Sequence, residues 1–114
     1  MAEYKARLLK NGGKKSYYNY SNTGERIELT STKTHTATQD CLFSFYIIGQ
    51  GAINATISIN NKTVLDALYM AGYTSNQYVS YPMTYPLKQG DVLTININSG
   101  VASEIRGREV PLVY

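Results

Sequence analysis

Tryptophan is absent from this chain, and cysteine and histidine occur once each. A single cysteine, Cys41, excludes an internal disulfide, so the fold must stand on packing alone. It opens the most apolar stretch of the chain, where a thiol is expected to act as a small buried hydrophobe. The single histidine, His35, lies between Thr34 and Thr36 with no second histidine and no cysteine at ligand spacing. A zinc centre needs three or four such ligands, so no metal is expected, and His35 is expected at the surface or in a loop. Charged residues are also scarce, at 17%. The acids Asp40, Asp66, Asp91, Glu104 and Glu109 form no cluster in sequence. Gly12-Gly13-Lys14-Lys15 lacks the preceding strand and the full spacing of a phosphate-cradling loop. With no acid pair, no nucleophile beside a base and no cofactor loop, a non-enzymatic protein with no cofactor is expected. No apolar run approaches the ~18 residues of a membrane span, and the N-terminus has no signal-peptide core. No membrane partner is therefore expected.

What the chain does contain is tyrosine, 11 of them, together with abundant serine, threonine and asparagine. Thr and Tyr suit a pleated, half-buried surface, whereas Asn, Ser, Thr and Tyr are all poor helix formers. At 114 residues one core is expected. The charge is unevenly placed. Residues 1–15 carry Lys5, Arg7, Lys10, Lys14 and Lys15 against Glu3, while the six basic and seven acidic residues that follow nearly cancel. We therefore expect residues 1–24 to form a short, extended, basic N-terminal arm and residues 25–114 to form one β-domain. Lys5, Arg7, Leu8, Leu9, Lys10, Lys14 and Lys15 are the candidate docking residues of the arm. Nucleic acid is disfavoured as a partner, because the near-neutral remainder offers no second basic stripe to track a phosphate backbone.

Alternation with a period of two dominates the rest. Ile53, Ala55, Ile57 and Ile59 alternate with Asn54, Thr56, Ser58 and Asn60, and Leu93, Ile95 and Ile97 alternate with Thr94, Asn96 and Asn98. Both are strands with one wet face. Leu42 to Ile48 is apolar on both faces, with Phe43 and Phe45 on one and Leu42, Tyr46 and Ile48 on the other. That pattern fits a core strand or a subunit contact. Thr recurs at every second position from Thr30 to Thr38, as on a polar strand face. Asn60-Asn61 is a hairpin turn, and Lys88-Gln89-Gly90-Asp91 is a tight turn closed by Asp91. Residues 63–72 fit either a strand or two helical turns, and the hairpin before them favours the strand. Tyr78 to Leu87, with Pro82 and Pro86, reads as an edge strand. Gly107 and Pro111 are expected to interrupt the last strand. Roughly seven or eight strands at about ten-residue spacing point to an all-β fold, an antiparallel β-sandwich or jelly roll. Tyr17, Tyr18 and Tyr20, and separately Tyr73, Tyr78, Tyr81 and Tyr85, are candidate surfaces for a sugar or partner, since Tyr offers contact area with a polar tip.

Several of these segments carry a resemblance. Met1 to Gly12 resembles the start of small structural proteins of tailed phages of low-GC Gram-positive hosts. Thr36 to Asp40 leading into an apolar strand, the Ile57 to Lys62 hairpin and the Pro86 to Asp91 turn resemble β-sandwich domains of phage fibres and head decorations. The resemblance implies a virion accessory protein that is homotrimeric, docked on a major capsid or appendage protein, and made in the host cytoplasm without a signal peptide. It would sit on the virion surface with no catalytic residues. The absence of heptads or Gly-x-y triplets leaves no fibre shaft. A carbohydrate-binding or adhesin module, taking a cell-surface glycan on exposed Tyr and Asn, is the alternative.

Overall fold

The computed structural model describes residues 16–50, 52–70 and 78–114. Nine strands are present among them: β1 (Tyr17–Tyr18), β2 (Ile27–Glu28), β3 (Thr34–Thr36), β4 (Cys41–Gln50), β5 (Ile53–Ile59), β6 (Lys62–Met70), β7 (Tyr78–Leu87), β8 (Val92–Ser99) and β9 (Ala102–Val113). A single 3-10 turn, Tyr20–Asn22, separates β1 from β2. The strands form two antiparallel sheets. The first has the order β1-β9-β4-β7, with β2 also on β9; the second has the order β3-β8-β5-β6.

The period-two pattern explains how the sheets face one another. On β4, Cys41, Phe43, Phe45 and Ile47 are buried between the sheets, and on β5 so are Ile53, Ala55 and Ile57. Leu93 and Ile95 of β8, Ile105 of β9 and Leu29 complete the core. Each buried Leu, Ile and Phe among them contributes on the order of 1.5–3 kcal/mol by leaving water. The opposite face of the second sheet is the polar set the alternation predicts: Asn98 donates through Nδ2 to Asn54 Oδ1 at 3.1 Å and to Thr56 Oγ1 at 2.8 Å.

Turns fall where their residues demand. Asn60 and Asn61 both have positive φ, 52° and 64°, and Ile59 pairs with Lys62, a two-residue hairpin. Asp91 closes its turn by accepting from the Lys88 amide at 2.9 Å and from Asn60 Nδ2 at 2.9 Å. The segment at 62–70 is strand, as the hairpin before it favours. β7 lies at the sheet edge, where Pro82 and Pro86 remove no ladder hydrogen bond that the sheet needs.

Three expectations need correction. Tyr17–Tyr18 pairs with Val113 and Leu112, so the last third of the expected 1–24 arm belongs to the sandwich. From there the chain follows β9, with amide bonds from Asn19 to the Pro111 carbonyl, from Gly24 to Glu109 and from Leu29 to Ile105. Gly107 and Pro111 do not interrupt the last strand, which is continuous over 12 residues. His35 is not at the surface: it is 6% exposed, stacked on Phe43 with ring centroids 4.2 Å apart. Its Nε2 donates to Glu109 Oε2 at 2.6 Å. Because β3 and β9 belong to different sheets, this pair ties the two layers together.

Candidate functional site

The outer face of the first sheet carries a concave groove of about 500 Å³. Its floor follows directly from the alternation on β4. While Phe43 and Phe45 point into the core, Leu42, Ser44 and Tyr46 point out and remain half-buried on the opposite face. Antiparallel register then sets Val110, Arg108 and Arg106 of β9 beside Leu42, Ser44 and Tyr46, and Pro86, Thr84 and Pro82 of β7 on their other side. The third wall comes from the segment lying along β9, which brings Tyr20, Thr23 and Arg26 to the groove. Tyr20, raised by the 3-10 turn, is 68% exposed.

The electrostatics of the groove are set by three arginines with no acid in its lining. Arg106 is held at one end. Its Nε meets Glu28 Oε2 at 2.7 Å and its Nη1 meets Glu104 Oε1 at 2.6 Å. The Thr30 hydroxyl, and then Arg106, draw the Glu28 carboxyl down from its ordinary 4.5 to about 2. Arg108 donates through Nη1 to the Gly24 carbonyl at 2.9 Å, which steadies the side chain without neutralising it. Beyond the Glu28–Arg106–Glu104 triad lies a second depression of about 600 Å³ lined by Ile48, Tyr78, Ser103 and Thr30.

The residues singled out in sequence are distributed unevenly over this face. Leu42 and Tyr46 line the groove and Ile48 the second depression, whereas Phe43 and Phe45 are core. Tyr78, Tyr81 and Tyr85 do not form one surface. Tyr78 lies on the outer face and is 65% exposed, while Tyr81 and Tyr85 oppose the inward residues Ile47 and Phe43. Tyr85 stacks on Phe45 at 6.2 Å, and burial raises its phenol above the ordinary value. Tyr73 and the arm residues Lys5, Arg7, Leu8, Leu9, Lys10, Lys14 and Lys15 lie outside the described residues.

Tyr20, one of the tyrosines singled out in sequence, lines the groove, whereas sequence reasoning missed Arg26, Arg106 and Arg108. A signal was present for two of them: Arg106 and Arg108 are two apart, and so share a face of any strand that contains both. Treating Gly107 as a break in the strand hid that relation.

Glu109 and Cys41 do not line this groove. Glu109 is 3% exposed and accepts from Thr38 Oγ1 at 2.6 Å, from the Thr38 amide at 2.9 Å and from Gln39 Nε2 at 3.3 Å, besides His35. Burial pushes its carboxyl up, but the Thr38, His35 and Gln39 bonds outweigh burial and hold it below its ordinary value. So enclosed, the pair has a structural task. Cys41 is equally enclosed: burial, aided by Glu109, Asp40 and Asp91, pushes its thiol up to about 12. Among the described residues no three His, Cys, Asp or Glu side chains gather as a metal site.

Fold and groove together define an antiparallel two-sheet β-sandwich with an arginine-lined outer face. No family model matches the chain, and no curated protein is similar to it. Among solved structures, rabbit GITRL is similar with a TM-score of 0.49 at 12% identity, over 70% of this chain and 72% of that one. A family 35 carbohydrate-binding module from Clostridium thermocellum is similar with a TM-score of 0.46 at 7% identity, over 84% of this chain and 96% of that one. The C-terminal domain of EclA, a sugar-binding protein, is similar with a TM-score of 0.40 at 12% identity, over 87% and 76%. Likeness at this level decides nothing about what this chain binds.

Proposed function

We propose that the chain is a non-catalytic carbohydrate-binding module of the adhesin type, which holds a saccharide against the outer face of its first sheet. One observation carries this: a single open groove combines Tyr20 and Tyr46 with the Ser44 and Thr84 hydroxyls and three guanidinium groups. A sugar ring presents an apolar C–H face and a rim of hydroxyls. An amphipathic aromatic takes the first, and convergent hydrogen-bonding side chains take the second. Ser44, Tyr46, Thr84, Arg106 and Arg108 stand on three adjacent paired strands, so little ordering entropy is lost when a ligand docks.

A glycan array followed by titration calorimetry tests this. Tyr20→Ala and Tyr46→Ala should each weaken the best glycan about two- to tenfold, since an aromatic contact is worth roughly 0.5–1.5 kcal/mol. An array with no glycan retained by the wild-type protein would overturn the proposal.

A second reading is that the domain is a virion accessory protein, trimeric and docked on a capsid or appendage protein. It is favoured by the row of Leu42, Tyr46 and Ile48, half-buried apolar side chains along the outer face of β4. The two readings compete for the same side chains, because Leu42 and Tyr46 cannot face a sugar while buried against a neighbour.

A further inference from the structure

We infer that the saccharide this groove takes is an acidic one, carrying carboxylate, sulfate or phosphate groups, with Arg108 and Arg26 as the residues that meet the anion. The inference rests on the carbohydrate reading and narrows it. Residues 16–114 contain three arginines, Arg26, Arg106 and Arg108, and all three line this one groove, whereas Lys33, Lys62 and Lys88 lie elsewhere. A solvated surface would scatter such residues. Here two pieces of chain far apart in sequence deliver them: the segment along β9 supplies Arg26, and alternate positions of β9 supply Arg106 and Arg108 on one face.

The charges are not spent internally. Arg106 is matched by Glu28 and Glu104 at the end of the groove. Among the described residues, no carboxylate lies within ion-pair distance of Arg26 or Arg108, and no acid lines the groove. Residues 16–114 carry seven acidic side chains against six basic ones, so the local excess of positive charge opposes the balance of the body around it. Neutral sugars need hydrogen-bond donors and acceptors in equal measure, and asparagine or glutamine supplies both. Guanidinium supplies five donors and no acceptor, in a planar fork that matches two oxygens of an oxyanion. Arg108 uses Nη1 on Gly24, which fixes the fork's position above Ser44 and leaves its other donors for an anion. Arg106, already doubly engaged, serves as the wall that ends the site.

The full chain is titrated by calorimetry with polygalacturonate, dextran sulfate and neutral dextran of similar length. At least one of the two polyanions should bind at least tenfold more tightly than dextran. Raising salt from low to high should erode that margin, since a screened charge contact weakens. Arg108→Gln, and independently Arg26→Gln, should each remove most of the margin while leaving thermal melting unchanged. The double variant K62Q/K88Q removes more positive charge, but from outside the groove, and should leave the margin intact. Dextran bound as tightly as both polyanions would overturn the acidic inference while the carbohydrate reading survives. A loss in K62Q/K88Q equal to that in Arg108→Gln would also overturn it, by making the attraction one of overall charge and not of the groove. Failure to retain any glycan on the array, acidic or neutral, overturns both.

Discussion

A Cβ added to Gly107 would stand 2.7 Å from Phe43 Cζ, 2.8 Å from Phe45 Cβ and 2.9 Å from the Ser44 carbonyl oxygen. None of those atoms is the loose end of a flexible chain, for two rings fill the core beneath and the third atom is backbone. Glycine is present here to let β9 close on β4. The φ of this residue needs no special freedom, because it is not among the left-handed positions. Gly107→Ala should therefore cost about 1–3 kcal/mol, the usual range for overpacking a filled core. Urea denaturation would show it as a lower midpoint at unchanged slope, and an unchanged midpoint would mean that the rings yield freely. Sequence alone gives no access to this cause, because the atoms that crowd Gly107 lie more than sixty positions away.

Among the elements, β3 and β9 are joined by the most consequential polar contact. Removing the Glu109 carboxylate would strand the buried His35 ring and take the acceptor from the Thr38 amide and hydroxyl. Glu109→Ala should cost about 3–5 kcal/mol, the range for breaking a buried ionic or charge-assisted cluster. The same group makes stability depend on acid. Its native value is below the ordinary 4.5, so the unfolded chain takes up the proton first as pH falls. Its contribution is whole above about pH 4.5 and disappears as pH drops through the lower native value. Melting temperature followed from pH 6 down to pH 2.5 should fall more steeply for the wild type than for Glu109→Gln. Equal slopes would show that the carboxylate contributes nothing through its charge. At this scale much was legible beforehand. The Asn60-Asn61 hairpin, the Asp91 turn and the strands at 53–59 and 92–98 follow from residues adjacent in sequence. The inward turn of His35 did not, although alternation sets it on the face opposite Thr34 and Thr36, because its partner Glu109 is 74 positions away.

Over the whole molecule, the open question of function becomes one of whether the outer face of the first sheet is free. A mass in solution close to the 12.7 kDa of one chain would leave Leu42, Tyr46 and the arginines open to a ligand, and that is the outcome expected for a saccharide-binding module. Light scattering that returns about three times this mass, and falls to one chain on Tyr46→Arg, would favour the virion reading and close the groove. Legible in the residue order alone were the all-β class, most strand positions, the turns and the alternation along β4, which reads there as apolar on both faces. Each of these depends on period-two alternation or on the backbone preferences of Asn, Gly and Pro, which act between near neighbours. Only the tertiary structure decided that Tyr20 and Arg26 lie across β9 from Tyr46, that Arg106 and Arg108 complete one groove with them, and that His35 finds Glu109 74 residues away. Those meetings are fixed by which strands pair and in what register. Cross-strand hydrogen bonding and shared core packing set that register, and it leaves no local pattern in the chain.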